Sequence, residues 1–288
     1  MSKFFNETQE ASRWAEKRLA TQNLDLQPVD QGLKQSPSTA TEVADVRLQE
    51  CREMPIEGGA SAPLVLRQDE SAQAALEAYR GLRTRLMRAQ SQAGLHSIAI
   101  TSSLPNEGKT ITVMNLGLCY SQLSDQRVLI IDADLRTGGL TRLLGHPNKV
   151  GLAQVLTGQA TPGKAILATD QKNLSVLPTG SVSTPAPEHF TGPRWKEFLG
   201  WCAETFKVVL VDTPPALPLA DFELISSACD GIMMVVRAYR TQQEVLQKAV
   251  NALDSKKLLG VVLNATEFGG KNSDGYGYDY SYSYGKKK

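Results

Sequence analysis

From residue 73 onward, the chain alternates between amphipathic stretches and short apolar runs. Six runs are rich in Val, Ile and Leu and lack polar alternation, which predicts strands that are buried on both faces. They lie in the segments HSIAITSS, RVLIIDAD, LSVLPTG, FKVVLVDTPP, GIMMVVRA and LLGVVLNAT. Helical patterns occur in AQAALEAYRGLRTRLMRAQ, GKTITVMNLGLCYSQL, GPRWKEFLGWCAETF and TQQEVLQKAVNALDSK. This order predicts an α/β fold with a doubly wound, mostly parallel sheet flanked by helices.

The first 72 residues do not follow this alternation. The stretch FFNETQEASRWAEKRLA could form an amphipathic helix, whose apolar members are Phe4, Phe5, Ala11 and Trp14. The residues after it are polar and rich in Pro, Gly and Ser, which indicates a linker. We therefore predict a helix and flexible linker over residues 1–72, one α/β domain over 73–270 and a flexible tail over 271–288. The N-terminal helix fits a partner-docking element and a fraying terminus equally well.

Composition narrows the classes of function. A net charge of +1 over 288 residues gives no general attraction to nucleic acid or to a membrane surface. Four dispersed cysteines without a CxxC pair indicate buried thiols in a reduced setting, and the three histidines share no metal-like spacing. The N-terminus lacks a signal-peptide pattern, and no apolar run approaches the ~20 residues of a membrane-spanning helix. We expect a cytoplasmic protein that reaches a membrane only through a partner.

The segment SSLPNEGKT, from Ser102 to Thr110, follows an apolar run and opens a helix, which is the context of a phosphate-binding P-loop. Backbone N–H groups of such a turn and of the helix N-terminus point at the phosphates. Gly108 lets the backbone approach, Lys109 reaches the β- and γ-phosphates, and the Thr110 hydroxyl is a ligand for Mg²⁺. Ser103 stands where the consensus has its first glycine. The predicted nucleotide-binding residues here are Ser103, Pro105, Asn106, Glu107, Gly108, Lys109, Thr110 and Ile111.

Three aspartates end two further apolar runs. Asp132 and Asp134 follow one run together with Arg136, and Asp212 ends another before a pair of prolines. The carboxyl ends of parallel strands border the crevice in which doubly wound folds bind ligands. A single aspartate at a strand end is more often a cap or turn residue, but three beside a P-loop supply the carboxylates that phosphoryl transfer requires. We predict ATP and Mg²⁺ as cofactors, with Thr110, Asp134 and Asp212 as candidate metal ligands.

The segments SSLPNEGKT, LIIDADLR and VLVDTPP together resemble the Walker A, Walker A′ and Walker B motifs of the bacterial tyrosine autokinases, which control polysaccharide export. Related partitioning and division-site ATPases carry a signature lysine early in the loop, where this chain has Leu104. The resemblance covers residues 73–288 and implies a P-loop fold of that deviant Walker class. It implies catalytic roles for Lys109, Asp132, Asp134 and Arg136.

Within this resemblance, Asp132 is the candidate base near the acceptor hydroxyl, while Asp134 and Asp212 are assigned to Mg²⁺; these roles could be exchanged. Arg136 could orient the carboxylates or a phosphate, or form a surface ion pair. Asn264 ends the last apolar run, where the related ATPases place an adenine-binding asparagine, and a turn role fits it equally well.

The segment EAYRGLR resembles the ExxRxxR oligomerisation motif of the family through Glu77, Arg80 and Arg83. These residues are expected on one side of the predicted helix, with Tyr79, Leu82 and Leu86 on the other. A solvated polar face would show the same pattern. The resemblance implies instead a homo-oligomeric, octamer-like ring, in which the tail of one subunit reaches the nucleotide of its neighbour.

Five of the eight tyrosines lie in the C-terminal segment DGYGYDYSYSYGKKK, at Tyr276, Tyr278, Tyr280, Tyr282 and Tyr284. Alternation could indicate an edge strand, but the intervening Gly, Asp and Ser favour a flexible low-complexity tail. From the residues alone, the tail could be an adhesive aromatic segment, a platform that stacks on nucleic acid, or a set of hydroxyl groups for modification. The resemblance implies an autophosphorylation cluster, whose phosphates would make the tail strongly anionic.

The sequence therefore predicts an ATP- and Mg²⁺-dependent protein-tyrosine autokinase that regulates exopolysaccharide or capsule synthesis and export. The resemblance further implies a membrane-bound polysaccharide co-polymerase as activator, a cognate tyrosine phosphatase, and a location peripheral to the inner membrane. No nucleic-acid partner is expected. Two other functions stay open: a partitioning or positioning ATPase would transfer the phosphoryl group to water, and a nucleotide-dependent scaffold would transfer none.

Overall fold

The computed structural model describes residues 52–54, 70–145, 149–182, 187–217 and 220–265. Eight strands in these ranges form a single sheet. They are β1 (Arg52–Met54), β2 (Ser97–Ser102), β3 (Val128–Asp132), β4 (Leu167–Thr169), β5 (Leu174–Leu177), β6 (Val208–Asp212), β7 (Gly231–Arg237) and β8 (Leu258–Asn264).

Helices of very different lengths join these strands. The described ranges contain α1 (Glu70–Ala93), α2 (Lys109–Ser121), α3 (Gly139–Leu143), α4 (Leu152–Leu156), α5 (Pro162–Ala165), a 3₁₀ turn (Pro187–Phe190), α6 (Pro193–Thr205), α7 (Ala220–Ser227) and α8 (Gln243–Ala252). The four helices expected from the sequence correspond to α1, α2, α6 and α8 and are confirmed. None of the helices in the described ranges is both long and apolar enough to cross a membrane.

The strand order across the sheet is β1-β4-β5-β3-β6-β2-β7-β8. Every neighbouring pair is parallel except β4 and β5, which are antiparallel. The connection from β2 to β3 passes over β6, which lies between them. Ile100 of β2 and Asp132 of β3 are therefore both in register with Asp212, the last residue of β6. This topology brings the P-loop after β2 and all three aspartates to one carboxyl edge of the sheet.

Apolar side chains cover both faces of the sheet. On one face, α1 and α2 contribute buried side chains such as Leu86 and Met114. On the other face, α6 and α7 contribute Trp195, Phe198 and Ile225. Strands β2, β3 and β6 are buried along their whole length, as continuous Val/Ile/Leu runs require. The predicted α/β class with a doubly wound, mostly parallel sheet is confirmed.

Two strands were missed by the sequence prediction. Strand β1 lies at Arg52–Met54, in the segment interpreted as linker, and it pairs in parallel with β4 at one edge of the sheet. Strand β4 pairs antiparallel with β5 through two residues of each strand, Leu167 with Val176 and Ala168 with Ser175. Both strands have three residues, so their hydrophobic pattern is too short to separate from a loop. Backbone pairing, rather than the side-chain pattern, makes them strands.

Candidate active site

The P-loop, residues Ser103–Thr110, turns directly from β2 into α2. Two of its residues have left-handed backbone, Asn106 at φ 64° and Gly108 at φ 93°. A Cβ atom on Gly108 would collide with the carboxamide of Asn264. Glycine is required there for two reasons, because the backbone is left-handed and because another strand end packs against it.

Glu107 fixes the shape of the loop from within. Its carboxylate is buried, and Oε2 accepts hydrogen bonds from the backbone N–H groups of Ser103 at 2.7 Å and Leu104 at 3.1 Å. Its Oε1 accepts a hydrogen bond from the hydroxyl of Thr241, in the segment between β7 and α8. The Glu107 side chain is therefore occupied inside the loop. Leu104, at the position of the signature lysine in the related ATPases, is 40% exposed.

Two further contacts hold the outer side of the P-loop. Arg237, the last residue of β7, donates from Nη1 to the carbonyl of Asn106 at 3.2 Å. Asn264, the last residue of β8, donates from Nδ2 to the carbonyl of Glu107 at 2.9 Å. The carboxamide of Asn264, which sequence reasoning left between an adenine ligand and a turn residue, thus supports the P-loop in this structure.

Lys109 and Thr110 face the aspartates across the crevice. Lys109 Nζ lies 3.5 Å from Asp134 Oδ2 and 3.8 Å from Asp212 Oδ1. The Thr110 hydroxyl donates to Asp212 Oδ2 at 2.7 Å. The structure therefore brings together four of the residues predicted for phosphoryl transfer and metal binding, which are contributed by α2, β6 and the segment after β3.

Asp132 and Asp134 differ in how their oxygens are occupied. Asp132 Oδ2 accepts two hydrogen bonds from Thr141, one from the backbone N–H at 2.8 Å and one from Oγ1 at 2.7 Å. Asp134 accepts at Oδ1 from the Thr137 N–H at 3.1 Å and at Oδ2 from the Thr137 hydroxyl at 2.6 Å. Neither threonine belongs to a motif recognised in the sequence, and Thr141 becomes a neighbour of Asp132 only because α3 folds back over the end of β3.

Burial dominates the electrostatics of this edge. Desolvation raises the pKa of Asp132 above the usual carboxyl range, and the hydrogen bonds from Thr141 and the charge of Lys109 oppose this rise. Desolvation likewise raises the pKa of Asp212, which Lys109 and Thr110 partly offset. Asp132 also raises the pKa of Asp212 through like-charge repulsion, and Asp134 raises the pKa of both. The site therefore favours an added cation or a proton when no ligand neutralises it.

Arg136 pairs with a fourth aspartate. Its guanidinium donates two hydrogen bonds to Asp221 in the first turn of α7, from Nε to Oδ2 at 2.6 Å and from Nη2 to Oδ1 at 3.1 Å. This is the ion-pair alternative that the sequence left open, although the partner lies 85 residues away and has no motif signal. In this structure Arg136 ties the segment after β3 to α7.

The structure divides the ExxRxxR residues into two groups. Glu77 and Arg80 form an exposed ion pair at 2.6 Å. Arg83 instead donates from Nη1 to the carbonyl of Cys119 in the P-loop helix α2, at 2.5 Å. Arg83 therefore contacts α2, while the role of the three residues in oligomerisation stays a prediction. Residues at i and i+6 of a helix are about 120° apart at about 100° per residue, so Arg83 reaches the border of the buried face.

Four residues whose side chains support the site could not be predicted from the sequence. Thr141, Thr137, Thr241 and Arg237 lie outside the recognised motifs, and each contacts a motif residue through the tertiary fold. The tail tyrosines lie outside the described residues, as does the N-terminal helix predicted before residue 52.

The residues present fit Mg²⁺ with nucleotide. Asp132 Oδ1 and Asp212 Oδ1 are buried without a hydrogen-bond partner, and the Thr110 hydroxyl lies beside Asp212. The described part of the chain holds no cluster of three or more metal-binding side chains. Mg²⁺ is commonly held by one or two carboxylates together with substrate phosphates and water rather than by an all-protein cage.

Comparison with known proteins indicates which class of protein this chain is similar to. Residues 96–257 match the family model described as an AAA domain. The tyrosine-protein kinase YwqD of Bacillus subtilis (strain 168) is 34% identical over 204 residues, 69% of this chain and 85% of YwqD. ExoP of Rhizobium meliloti (strain 1021), named a succinoglycan biosynthesis transport protein, is 33% identical over 194 residues, 64% of this chain and 25% of ExoP. The solved kinase domain of the Escherichia coli tyrosine kinase ETK matches with a TM-score of 0.67 at 26% identity, over 80% of this chain and 94% of that domain.

A parallel sheet, a glycine-lysine-threonine loop between strand and helix, and carboxylates at the same edge define a P-loop nucleotide-binding protein. The extent of the match to YwqD and to the ETK kinase domain identifies the family within the P-loop proteins. The chain belongs to the bacterial tyrosine-protein kinase family.

Proposed function

We propose that the protein is an autokinase that transfers the γ-phosphoryl group of ATP to the tyrosines of its own C-terminal tail, in a process that regulates exopolysaccharide synthesis and export. The observation that carries the proposal is the contact between Asn264 and the P-loop. Asn264 is the last residue of β8, so the chain leaves this strand beside the phosphate-binding loop on its way to the tail.

The chemistry requires positioning and charge stabilisation more than covalent participation by the protein. Backbone N–H groups of the P-loop and Lys109 bind the phosphates of ATP. The phenol oxygen of a tail tyrosine attacks the γ-phosphorus, the bond to the β–γ bridging oxygen breaks, and ADP leaves with that electron pair. Asp132 Oδ1 accepts the phenol proton. The low exposure of this aspartate keeps water away from the proton acceptor.

Mg²⁺ would be held by the Thr110 hydroxyl and by Asp212, with Asp134 alongside. When bound, it neutralises phosphate charge and offsets the repulsion between the buried carboxylates. Lys109 contacts both Asp134 and Asp212 in the present structure, so these two side chains are already arranged around one position of positive charge.

The tail is long enough for this role. Twelve positions separate Asn264 from Tyr276, and an extended chain of that length spans at most roughly 40 Å. The tail can thus reach its own site or that of a neighbour. We favour transfer to a neighbour within a ring, since the Glu77–Arg80 pair on α1 is exposed and free to contact another subunit. Phosphorylated tails would carry about −2 per tyrosine and could dissolve such a ring.

Relatives suggest the biological setting. ExoP is named for succinoglycan biosynthesis and transport, which supports a role for this chain in polysaccharide export. We therefore propose a membrane-bound polysaccharide co-polymerase as activator, a cognate tyrosine phosphatase as antagonist, and a position at the cytoplasmic side of the inner membrane through the activator. Residues 1–72 are the candidate docking segment.

The test is site-resolved mass spectrometry of the tail after incubation with Mg²⁺ and ATP. We expect phosphate on Tyr276 to Tyr284 in the natural chain, none in Lys109→Met, and a natural level in the matched control Lys172→Met, whose side chain is exposed. The assay is run with and without the cytoplasmic segment of the activator. If ATP is hydrolysed under both conditions while the tail stays unmodified, the protein is a positioning-type ATPase; if nucleotide binds without turnover, it is a scaffold.

A further inference from the structure

We infer that Thr141 is a positioning residue for phosphoryl transfer: it holds one oxygen of Asp132 and leaves the other free for the acceptor tyrosine. The inference rests on the proposed function, in which Asp132 accepts the phenol proton. Thr141 lies in α3, nine residues after Asp132, and its hydroxyl is absent from every motif that the sequence analysis used.

Both donors of Thr141 converge on the same atom. Asp132 Oδ2 receives the backbone N–H at 2.8 Å and the hydroxyl at 2.7 Å, whereas Oδ1 is buried without a hydrogen-bond partner among the described residues. Two hydrogen bonds to one oxygen fix the rotation of the carboxylate about its Cβ–Cγ bond. The free oxygen then has one orientation, which is what transfer of a proton from a positioned hydroxyl requires.

A second strand end sets the direction of the Thr141 hydroxyl. The backbone N–H of Thr179, two residues after β5, donates to Thr141 Oγ1 at 3.0 Å. A hydroxyl carries a single proton, so this accepting role leaves that proton to point at Asp132. The Thr179 hydroxyl is a more distant neighbour at 3.4 Å and also lies 3.3 Å from the carbonyl of Gly180. The chain from Thr179 to Thr141 to Asp132 therefore runs in one direction.

The neighbouring carboxylates lack this arrangement. Both oxygens of Asp134 accept from Thr137, and Lys109 lies 3.5 Å from one of them. In Asp212, Oδ2 accepts from Thr110 and Oδ1 lies 3.8 Å from Lys109. Among the three aspartates, Asp132 alone has an oxygen for which the described residues provide neither a hydrogen bond nor an ion pair. The geometry thus assigns the proton-accepting atom as well as the residue that orients it.

The test compares Thr141→Val, which removes the hydroxyl at nearly constant volume, with Thr141→Ser, which keeps it. We expect Thr141→Val to lower kcat for tail phosphorylation about tenfold while the KM for ATP and the affinity for a fluorescent ATP analogue stay within about twofold. Thr141→Ser should restore kcat to within about threefold of the natural chain. Thr157→Val is the matched control, since its hydroxyl donates to the carbonyl of Ala153 in α4. Thr141→Ala replaces the valine variant if that variant does not fold.

A double-mutant cycle with Asp132→Asn separates the inference from the proposed function. If Thr141 acts through Asp132, the valine substitution causes no further loss of kcat in the Asp132→Asn background. Loss of transfer in Asp132→Asn with an unchanged kcat in Thr141→Val would overturn the inference and leave the proposed function standing. An additive loss in the double variant would also overturn it. Full transfer in Asp132→Asn would remove the base assigned under the proposed function, and the inference with it.

Discussion

The carboxyl edge of the sheet and the outer surface of α1 carry the two motif groups of this chain, and they are built differently. At the sheet edge, Asp132, Asp134 and Asp212 are at most 2% exposed, and each accepts a hydrogen bond from a threonine. On α1, Glu77 and Arg80 pair with each other in solvent. Leaving a buried carboxylate without any hydrogen bond costs more free energy than an exposed ion pair gains, which accounts for the threonine partners at the sheet edge. The first group is held by contacts within the chain, and the second is exposed on the surface of α1.

Arg83 is a member of the α1 motif whose side chain contacts another helix. It belongs to the α1 motif by sequence, but its guanidinium binds the carbonyl of Cys119 near the end of the P-loop helix. This contact links α1 to the helix that follows the P-loop.

The largest effect is expected for Asp212→Asn. Asp212 is fully buried and contacts both Thr110 and Lys109, so loss of its charge should lower the rate of tail phosphorylation by about 100-fold or more. The matched change on α1, Glu77→Gln, should leave the affinity for ATP unchanged and should alter the oligomeric state. Radiolabel incorporation and light scattering measure the two outcomes. A rate within tenfold of the natural chain for Asp212→Asn would remove Asp212 from the active site.

Glycine-to-alanine substitutions should change the stability of the protein in opposite directions in the two regions. Gly108→Ala should destabilise the protein by about 2 kcal/mol, because the backbone there is left-handed and the new Cβ meets Asn264. Gly81→Ala on α1 should stabilise it by about 0.5–1 kcal/mol, since nothing lies within 4 Å of that Cβ position. Denaturant unfolding measures both changes. Equal changes in the free energy of unfolding for the two variants would contradict this difference between the P-loop and α1.

The buried carboxylates should make the nucleotide-free protein less stable as pH rises. Desolvation raises the pKa of Asp132 and Asp212, so between the unfolded value of about 4 and the raised folded value the native state binds more protons than the unfolded chain. The free energy of unfolding therefore falls with increasing pH in that window. Asp230 acts oppositely at lower pH, since hydrogen bonds from His96 and Ser97 outweigh its burial and lower its pKa.

Thermal unfolding without Mg²⁺ or nucleotide, from pH 4 to pH 8, measures this dependence. The melting temperature should fall by a few degrees in the natural chain, and the slope should be reduced in Asp212→Asn. A melting temperature that rises throughout this window would show that the carboxylates are not the source of the pH dependence.

The last comparison concerns the two α1 arginines. Arg83→Ala should cost about 1 kcal/mol or more, since it removes a charge-assisted hydrogen bond between α1 and α2. Arg80→Ala should cost less than about 0.5 kcal/mol in a monomer, because its partner Glu77 is exposed. Unfolding of dilute protein measures both values. A larger loss of stability in Arg80→Ala than in Arg83→Ala would contradict the division of the motif into an exposed ion pair and an arginine that packs against α2.

Sequence reasoning recovered the fold class because the apolar runs of β2, β3 and β6 are continuous, as burial on both faces requires. It missed β1 and β4, whose three residues have no usable pattern. It found the P-loop and the aspartates from their spacing along the chain. It could not find Thr141 or Asp221, because each meets its partner only after a helix has folded over the sheet edge.

The sequence by itself determined which residue types lie at the carboxyl edge, since strand ends and the P-loop are local features of the chain. Tertiary structure decided which atoms of those residues are occupied. Thr141 holds Asp132 Oδ2, Asp221 engages Arg136, and Asn264 supports the P-loop, in each case through a side chain from a separate element. Hydrogen bonds act over about 3 Å, so they depend on the packed positions of helices and strands that spacing along the chain does not record.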